Sequence, residues 1–357
     1  MKIHSYLILA LFFAACQAEP EIIEEVSPLV HTRASSLQFA QTDNLNLNDL
    51  GIIHPTRIIR KDSLYIILTP HSKYRFAIYN HHTGDLTRLV SAGIGEGEGL
   101  YYLNLNVNGD IVSAMDFGTG RLVEIDLSQY NRPGYHPSFT NLTNGGKTPL
   151  GAIRSGDQII STGTYTDGRY CVTNPNDNTD IFSVTYPDCA DPTLSDSLKS
   201  IFYASNCLAV NSSHTRLACA NMQYGCLDIC DINGNQITRI NEVHLNRPGV
   251  IFQHKRPRGR GMWYPVAYTR NNLFGFCDLT TSDDYIFALY SGRTYREYKG
   301  NVDKGRTILV FDWNGSHVRT YHLPNSCSSI SYDKASNTIY ALSHEQDQSE
   351  IITLDLK

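Results

Sequence analysis

Four glycines at alternate positions, Gly93, Gly95, Gly97 and Gly99, offer the run of backbone amides that a phosphate-binding loop uses. Such a loop needs a Gly-Lys-Ser/Thr step opening a helix. Leu100 to Val107 reads instead as a strand, so the amides have no helix axis to point along, and the stretch is read as a connection between strands. His54, His71, His81 and His82 lie close in sequence, but His81 and His82 fall in a hairpin turn whose side chains diverge, so no shared metal is expected. Cys226 and Cys230 lie on one strand, turned to one face at a separation of four, which is not a zinc spacing. No cofactor is expected. A different chemistry recurs in three stretches that carry Arg beside Tyr or Trp. Arg247, Lys255, Arg256, Arg258 and Arg260 precede Trp263 and Tyr264; Arg293, Tyr295, Arg296, Tyr298 and Lys299 form a second group; Tyr165, Arg169 and Tyr170 form a third. Guanidinium groups bind carboxylates in bidentate fashion, and aromatic rings stack on sugar or peptide groups.

Composition says what kind of element must carry these groups. The chain has 357 residues, 41% hydrophobic and 18% charged, enough to bury a core and too apolar to be disordered. With 30 Lys and Arg against 35 Asp and Glu, the net charge of −5 provides no counterion-release drive toward nucleic acid. The 22 Tyr and 13 Phe, with few Ala/Glu/Lys-rich stretches, suit pleated surfaces and predict an all-β protein.

One five-residue pattern, an apolar strand closed by a polar turn former, recurs six times. The copies are Phe76–Asn80, Leu122–Asp126, Ile181–Thr185, Leu227–Asp231, Ile308–Asp312 and Ile351–Asp355. A second apolar segment lies upstream of each, at Tyr65–Leu68, Ile111–Ala114, Ile159–Thr162, Leu217–Ala220, Ile286–Leu289 and Ile339–Leu342. A third precedes that one, as in Cys207–Val210 and Ser328–Ser331. Turn formers such as Thr83-Gly84-Asp85 and Asn233-Gly234 then lead to outer strands at Leu86–Val90, Gln236–Ile240 and His317–Tyr321. Six units of four strands predict a six-bladed β-propeller rather than a β-sandwich. The last unit stops after its third strand, so closure of the ring is expected from Leu37-Gln38-Phe39-Ala40, and a short helix is expected from Asp191-Pro192 to Lys199, capped by Asp191.

At the N-terminus, Lys2 precedes an apolar run from Tyr6 to Ala15, about half of the ~20 residues needed to span a bilayer, which is the form of a signal peptide. Phe13-Ala14-Ala15-Cys16 resembles the lipobox of bacterial lipoproteins, with Phe13 where Leu is usual; the resemblance implies lipidation of Cys16. The division is then signal peptide 1–15, linker 16–34 and propeller 35–357. Residues 17–25, with Glu19, Glu21, Glu24 and Glu25, read as an acidic tether and also resemble the surface-export signal of Bacteroidota-type lipoproteins. Over residues 35–357 the chain resembles the TolB-like six-bladed propeller lipoproteins of Bacteroidota. The carriers are Cys16, the connection Gly93-Ile94-Gly95-Glu96-Gly97-Glu98 and the segment Tyr285-Ile286-Phe287-Ala288-Leu289-Tyr290-Ser291-Gly292. The resemblance implies the fold and an outer-membrane lipoprotein of the cell envelope, periplasmic or surface-exposed; it implies no catalytic residue.

In a four-stranded blade, the loop from strand two to strand three and the connection to the next blade emerge on one face. The long segments 159–181, 241–272 and 286–308 are all read as insertions on that face. It is the expected binding surface, with Arg169, Tyr170, Trp263, Tyr264, Arg293, Tyr295, Arg296 and Tyr298 as its candidate residues. The plainer account of the same residues is that they keep long loops soluble and pin them to the scaffold. The expected partner is an envelope protein, a glycan or a peptide, with membrane contact through the lipid alone and no nucleic acid. The alternative is a hydrolase, lactonase or lyase at the channel mouth, where His54, Glu98, Asn206 and Asn272 are the candidates. Of the cysteines, Cys207 with Cys219 and Cys171 with Cys189 are the possible bridges, buried thiols being the simpler state.

Overall fold

The computed structural model describes residues 38–39, 44–187, 194–246, 248–252, 266–345 and 348–356. Six antiparallel blades follow one another in chain order. Blade 1 holds Arg57–Lys61, Leu64–Leu68, Tyr74–Asn80 and Leu86–Ala92, and Glu98–Gly99 adds a short parallel strand at its edge. Blade 2 holds Tyr102–Asn108, Ile111–Asp116, Arg121–Asp126 and Ser138–Asn141. In blade 3 the strands are Pro149–Ser155, Gln158–Gly163, Tyr170–Asn174 and Thr179–Ser183; in blade 4 they are Asn206–Val210, Arg216–Asn221, Cys226–Asn233 and Gln236–His244. Blade 5 (Phe276–Thr281, Tyr285–Tyr290, Gly305–Asp312) shares the long strand His317–Asp333 with blade 6, whose remaining strands are Thr338–Glu345 and Gln348–Asp355.

The first strand of each blade is innermost, and these six strands neighbour one another around a closed ring. Side chains of one inner strand bond to the backbone of another: Ser329 Oγ accepts from Ile58 N at 3.0 Å, Ser331 Oγ from Arg60 N at 2.9 Å and Thr280 Oγ1 from Tyr332 N at 3.1 Å. Asn104 Nδ2 reaches across blade 3 to the carbonyl of Asn206 at 2.8 Å, over Gly151, where a Cβ would meet Asn104 at 2.8 Å. The core is divided into layers between blades. Ile66, Phe76 and Val112 pack blade 1 on blade 2, Ile160, Tyr170 and Cys219 pack blade 3 on blade 4, and Phe287, Leu309 and Ile339 belong to the layers on either side of blade 5. Inner and middle strands are therefore covered on both faces. This is why segments such as Leu64–Leu68 are continuously apolar instead of alternating.

The layer between blades 6 and 1 contains Leu47 and Ile52 from the N-terminal segment, packed with Tyr65, Ile67, Leu342 and Ile351. The outer edge of Gln348–Asp355 pairs with two short strands, Gln38–Phe39 opposite Asp355 and Leu354, and Leu45–Asn46 opposite Ile351 and Glu350.

Three expectations need correction. In blade 3 the third strand is Tyr170–Asn174, and Ile181 lies in the outer strand Thr179–Ser183. The polar turn 174–178 and the half-buried Ile181 and Phe182 mark an outer strand, whereas Tyr170, Cys171 and Val172 are buried in the middle of the sheet. The extra residues of that unit thus lie between blades 3 and 4, not between strands two and three. Second, the helix there spans Asp196–Phe202 with Ser195 as its N-cap residue, and Asp191 and Pro192 lie outside the described residues. Third, Cys207 and Cys219 do not bridge: Cys219 pairs with Leu208 and Cys207 with Ala220, so pleat alternation sends the two thiols to opposite faces of blade 4. Cys189 is outside the described residues, and Cys171 is a free buried thiol.

Candidate functional site

The connections entering each inner strand, and those joining second to third strands, emerge together on one face. On blade 2 that face is organised by a buried carboxylate. Asp116 accepts from Leu100 N (2.9 Å), Tyr101 N (3.0 Å), Gly118 N (3.0 Å) and Thr119 Oγ1 (2.8 Å), tying the entry to the blade to its 117–120 turn. Held by this cradle, Tyr101 and Phe117 stack outward with ring centroids 5.7 Å apart and planes at 29°, and Tyr101 is 49% exposed. Beside them, Glu98 Oε2 accepts from Gly95 N at 2.9 Å, and the Glu98 carboxylate lies so close to Gly93 that a Cβ there would collide with it. The turn so formed lifts Ile94 to 79% exposure.

On blade 5 the 291–304 loop carries the short helix Tyr295–Tyr298. Thr294 Oγ1 accepts from Glu297 N at 3.3 Å and donates to Glu297 Oε2 at 3.1 Å. Arg293 pins this loop: its guanidinium lies 4.6 Å from the Tyr298 ring centroid and donates to Asn301 O at 2.9 Å and to Ser326 Oγ at 2.5 Å. Tyr295, Arg296 and Tyr298 remain exposed. The loop is joined to the end of the insertion that follows blade 4, through Phe274 N to Arg293 O at 2.9 Å and Arg296 N to Arg270 O at 2.8 Å. Of the insertion's candidates, Trp263 and Tyr264 lie outside the described residues, as does Cys16.

Arg169 and Tyr170 occupy a different place from the one expected. Both are fully buried at the junction of blades 3 and 4, where Arg169 Nη1 meets Asp228 Oδ2 at 3.1 Å and the Tyr170 hydroxyl donates to the same oxygen at 2.8 Å. Arg239 Nη2 completes the group at 3.2 Å. Arg169 also lies 4.7 Å from the ring centroid of Tyr203, part of a buried aromatic cluster with Tyr186, Phe202 and Tyr224 that anchors the segments leaving blades 3 and 4. The short spacing between Gly163 and Tyr170, too small for a long loop, was the signal in the sequence.

Two of the four candidates at the channel mouth, Asn206 and Asn272, are linked through Asn221 and Gln223. None of the four hydrogen-bonds directly to another among the described residues. Asn206 donates to Tyr203 O at 2.6 Å; Asn272 is fully buried, accepting from Gly249 N at 2.9 Å and donating to Gln223 O at 2.8 Å; Glu98 closes its own turn. His54 is exposed and lies near His344, which is bonded to Ser328 Oγ at 2.8 Å and Ser349 Oγ at 3.1 Å. Burial, with added repulsion from Lys304 and His54, pushes the His344 imidazole down to about 4. Deeper in the channel, burial holds the Asp278 carboxyl above its ordinary value despite Arg57 and a bond from Ser329. Asp278 lines, with Arg60, Thr281, Asp283 and Lys334, a cavity of about 240 Å³ that opens toward the opposite face.

Among solved structures, the chain is similar to a Bacteroides fragilis protein labelled as exported, at 12% identity and TM-score 0.51, covering 96% of this chain and 97% of that one. It is also similar to the Cps50 (Swd1) propeller domain of Myceliophteria thermophila, at 12% identity and TM-score 0.48, covering 90% and 100%. No curated protein matches the chain. The profile of the TolB-like 6-blade propeller-like family matches residues 36–335, and the chain belongs to that family.

Proposed function

We propose that this propeller is a binding scaffold of the cell envelope, receiving a glycan, a peptide or a partner protein on the face that carries its long connections. The observation that supports this is where the exposed apolar residues stand. Ten large hydrophobic residues are exposed among the described ones, and Ile53, Ile94, Tyr101, Phe117, Ile201, Tyr295 and Tyr298 all lie in segments of that face. Clustered exposed apolar and aromatic groups on one side of a rigid scaffold are characteristic of interaction surfaces. Arg296 and Lys299 add positive charge beside the tyrosines on a chain of net charge −5, so acidic or carboxylate-bearing partners are favoured.

The test is binding of the wild type and of Tyr101→Ala, Phe117→Ala and Tyr295→Ala to glycan and peptide arrays and to cross-linked envelope extracts. Val107→Ala, on the opposite face, is the control. Loss of at least about tenfold in affinity in the three variants, with unchanged melting, is the expected result. Full binding in all three would overturn the reading. Attachment through a lipid on Cys16 is the envelope part of the proposal. Cys16→Ser is expected to abolish fatty-acid labelling and to move the protein from the membrane to the soluble fraction.

A further inference from the structure

At the rim of the same face, on the outer half of blade 4, three side chains of different ligand chemistry converge. Cys226 opens the third strand and faces His244 directly across the ladder, while Glu242 lies two residues before His244 and therefore on the same face of the sheet. Their ligand atoms, a thiol sulfur, an imidazole nitrogen and a carboxylate oxygen, all lie within 4.8 Å of one another. We infer that Cys226, Glu242 and His244 form a zinc-binding site that holds one ion at the edge of blade 4.

The remaining atoms of these residues are already committed. The Tyr224 hydroxyl meets Nδ1 of His244, which leaves Nε2 turned toward Glu242 Oε1. Arg239 Nε lies 3.6 Å from Oε2 of Glu242, so Oε1 is the oxygen left facing His244 and the Cys226 sulfur, 3.9 Å away. This is the arrangement of outer partners that orients ligands around a metal. Zinc with one sulfur, one nitrogen and one oxygen ligand sets ligand atoms roughly 3.5 Å apart, so side-chain rotations alone close the site. Two paired strands hold all three residues, so no backbone ordering is needed on binding. The thiol selects a borderline metal such as zinc over calcium or magnesium, which take oxygen ligands. Binding releases the Cys226 proton to solvent, keeps the imidazole neutral and leaves a fourth position for water or an outside ligand, on the side where His244 is 37% exposed.

No sequence spacing advertises the site, because Cys226 and the Glu242/His244 pair are joined only by the hairpin between the strands.

The test uses the full chain, reduced with a phosphine and stripped of metal, titrated with Co²⁺ and then Zn²⁺. One cobalt per chain is expected, with a thiolate-to-cobalt charge-transfer band and the visible absorption of four-coordinate cobalt, both removed by one equivalent of zinc. Cys226→Ser should abolish the charge-transfer band, and His244→Gln, at a partly exposed position, should weaken zinc binding by at least about 100-fold while the circular dichroism is unchanged. Cys230→Ser and Cys327→Ser should leave the band in place. Absence of the band in the wild type, or its persistence in Cys226→Ser, would overturn the assignment. Neither result depends on what the aromatic face binds.

Discussion

At the residue scale, buried charge governs the junction between blades 3 and 4. Asp228 is fully buried against Arg169, Arg239 and the Tyr170 hydroxyl, so its loss would strand the buried Arg169 guanidinium in a low-dielectric layer. Asp228→Asn is expected to destabilise the fold by about 3–5 kcal/mol, measured by urea unfolding. His344 supplies a pH signature. Its folded value of about 4 lies below the ordinary 6.5 of histidine, so the unfolded chain binds the proton more readily. The contribution of His344 is complete above about pH 6.5 and is lost as the pH falls toward 4, a loss of about 2–3 kcal/mol. His344→Gln should flatten the stability profile over that window; profiles that run parallel from pH 7 to 4 would contradict the assignment. Little of this could be read in advance. Arg169 and Tyr170 were recognisable as a basic and aromatic pair, but the same residue types serve a loop surface or a buried ion pair. Only the strand pairing shows which.

At the element scale, the six repeats were legible because the blade is a local unit. Each apolar segment pairs with its neighbour in sequence through a short turn, and turn chemistry marks the boundaries. Blade 3 misled because its outer strand, Thr179–Ser183, carries the same apolar spacing as a middle strand, and only burial on both faces separates the two. The seam has weaker local signals. Leu47 is fully buried between blades 6 and 1, and its amide donates to Ser349 O at 2.9 Å. Leu47→Ala is expected to cost about 2–5 kcal/mol. Closure of the ring through Gln38–Phe39 remains our proposal. If these residues seal the outer edge of blade 6, deleting residues 16–40 should lower the melting temperature measurably and promote association through the exposed strand edge; an unchanged melt and an unchanged monomer would refute it.

At the scale of the whole molecule, stability depends on every blade having a neighbour on both sides. The family match ends at residue 335, yet Thr338–Glu345 and Gln348–Asp355 supply Leu342 and Ile351 to the layer under blade 1. A chain cut after Ala335 is expected to aggregate in size-exclusion chromatography, whereas a monomer with the full-length melting profile would show that these strands are dispensable. The sequence by itself determined the all-β class, the sixfold repeat, the order of the strands in every blade but the third, and the face on which the long connections emerge. These follow from hydrophobic pattern and turn residues acting over a few tens of positions. Tertiary structure alone decided which polar residues are spent inside the scaffold, as with Asn206, Asn272 and Asp116, and which groups meet. Tyr101 and Phe117 stack because a buried carboxylate gathers two separate segments, and Cys226 meets Glu242 and His244 because a hairpin folds back on itself. Such encounters depend on strand register and on closure of the ring, which are properties of distances in space and not of spacing along the chain.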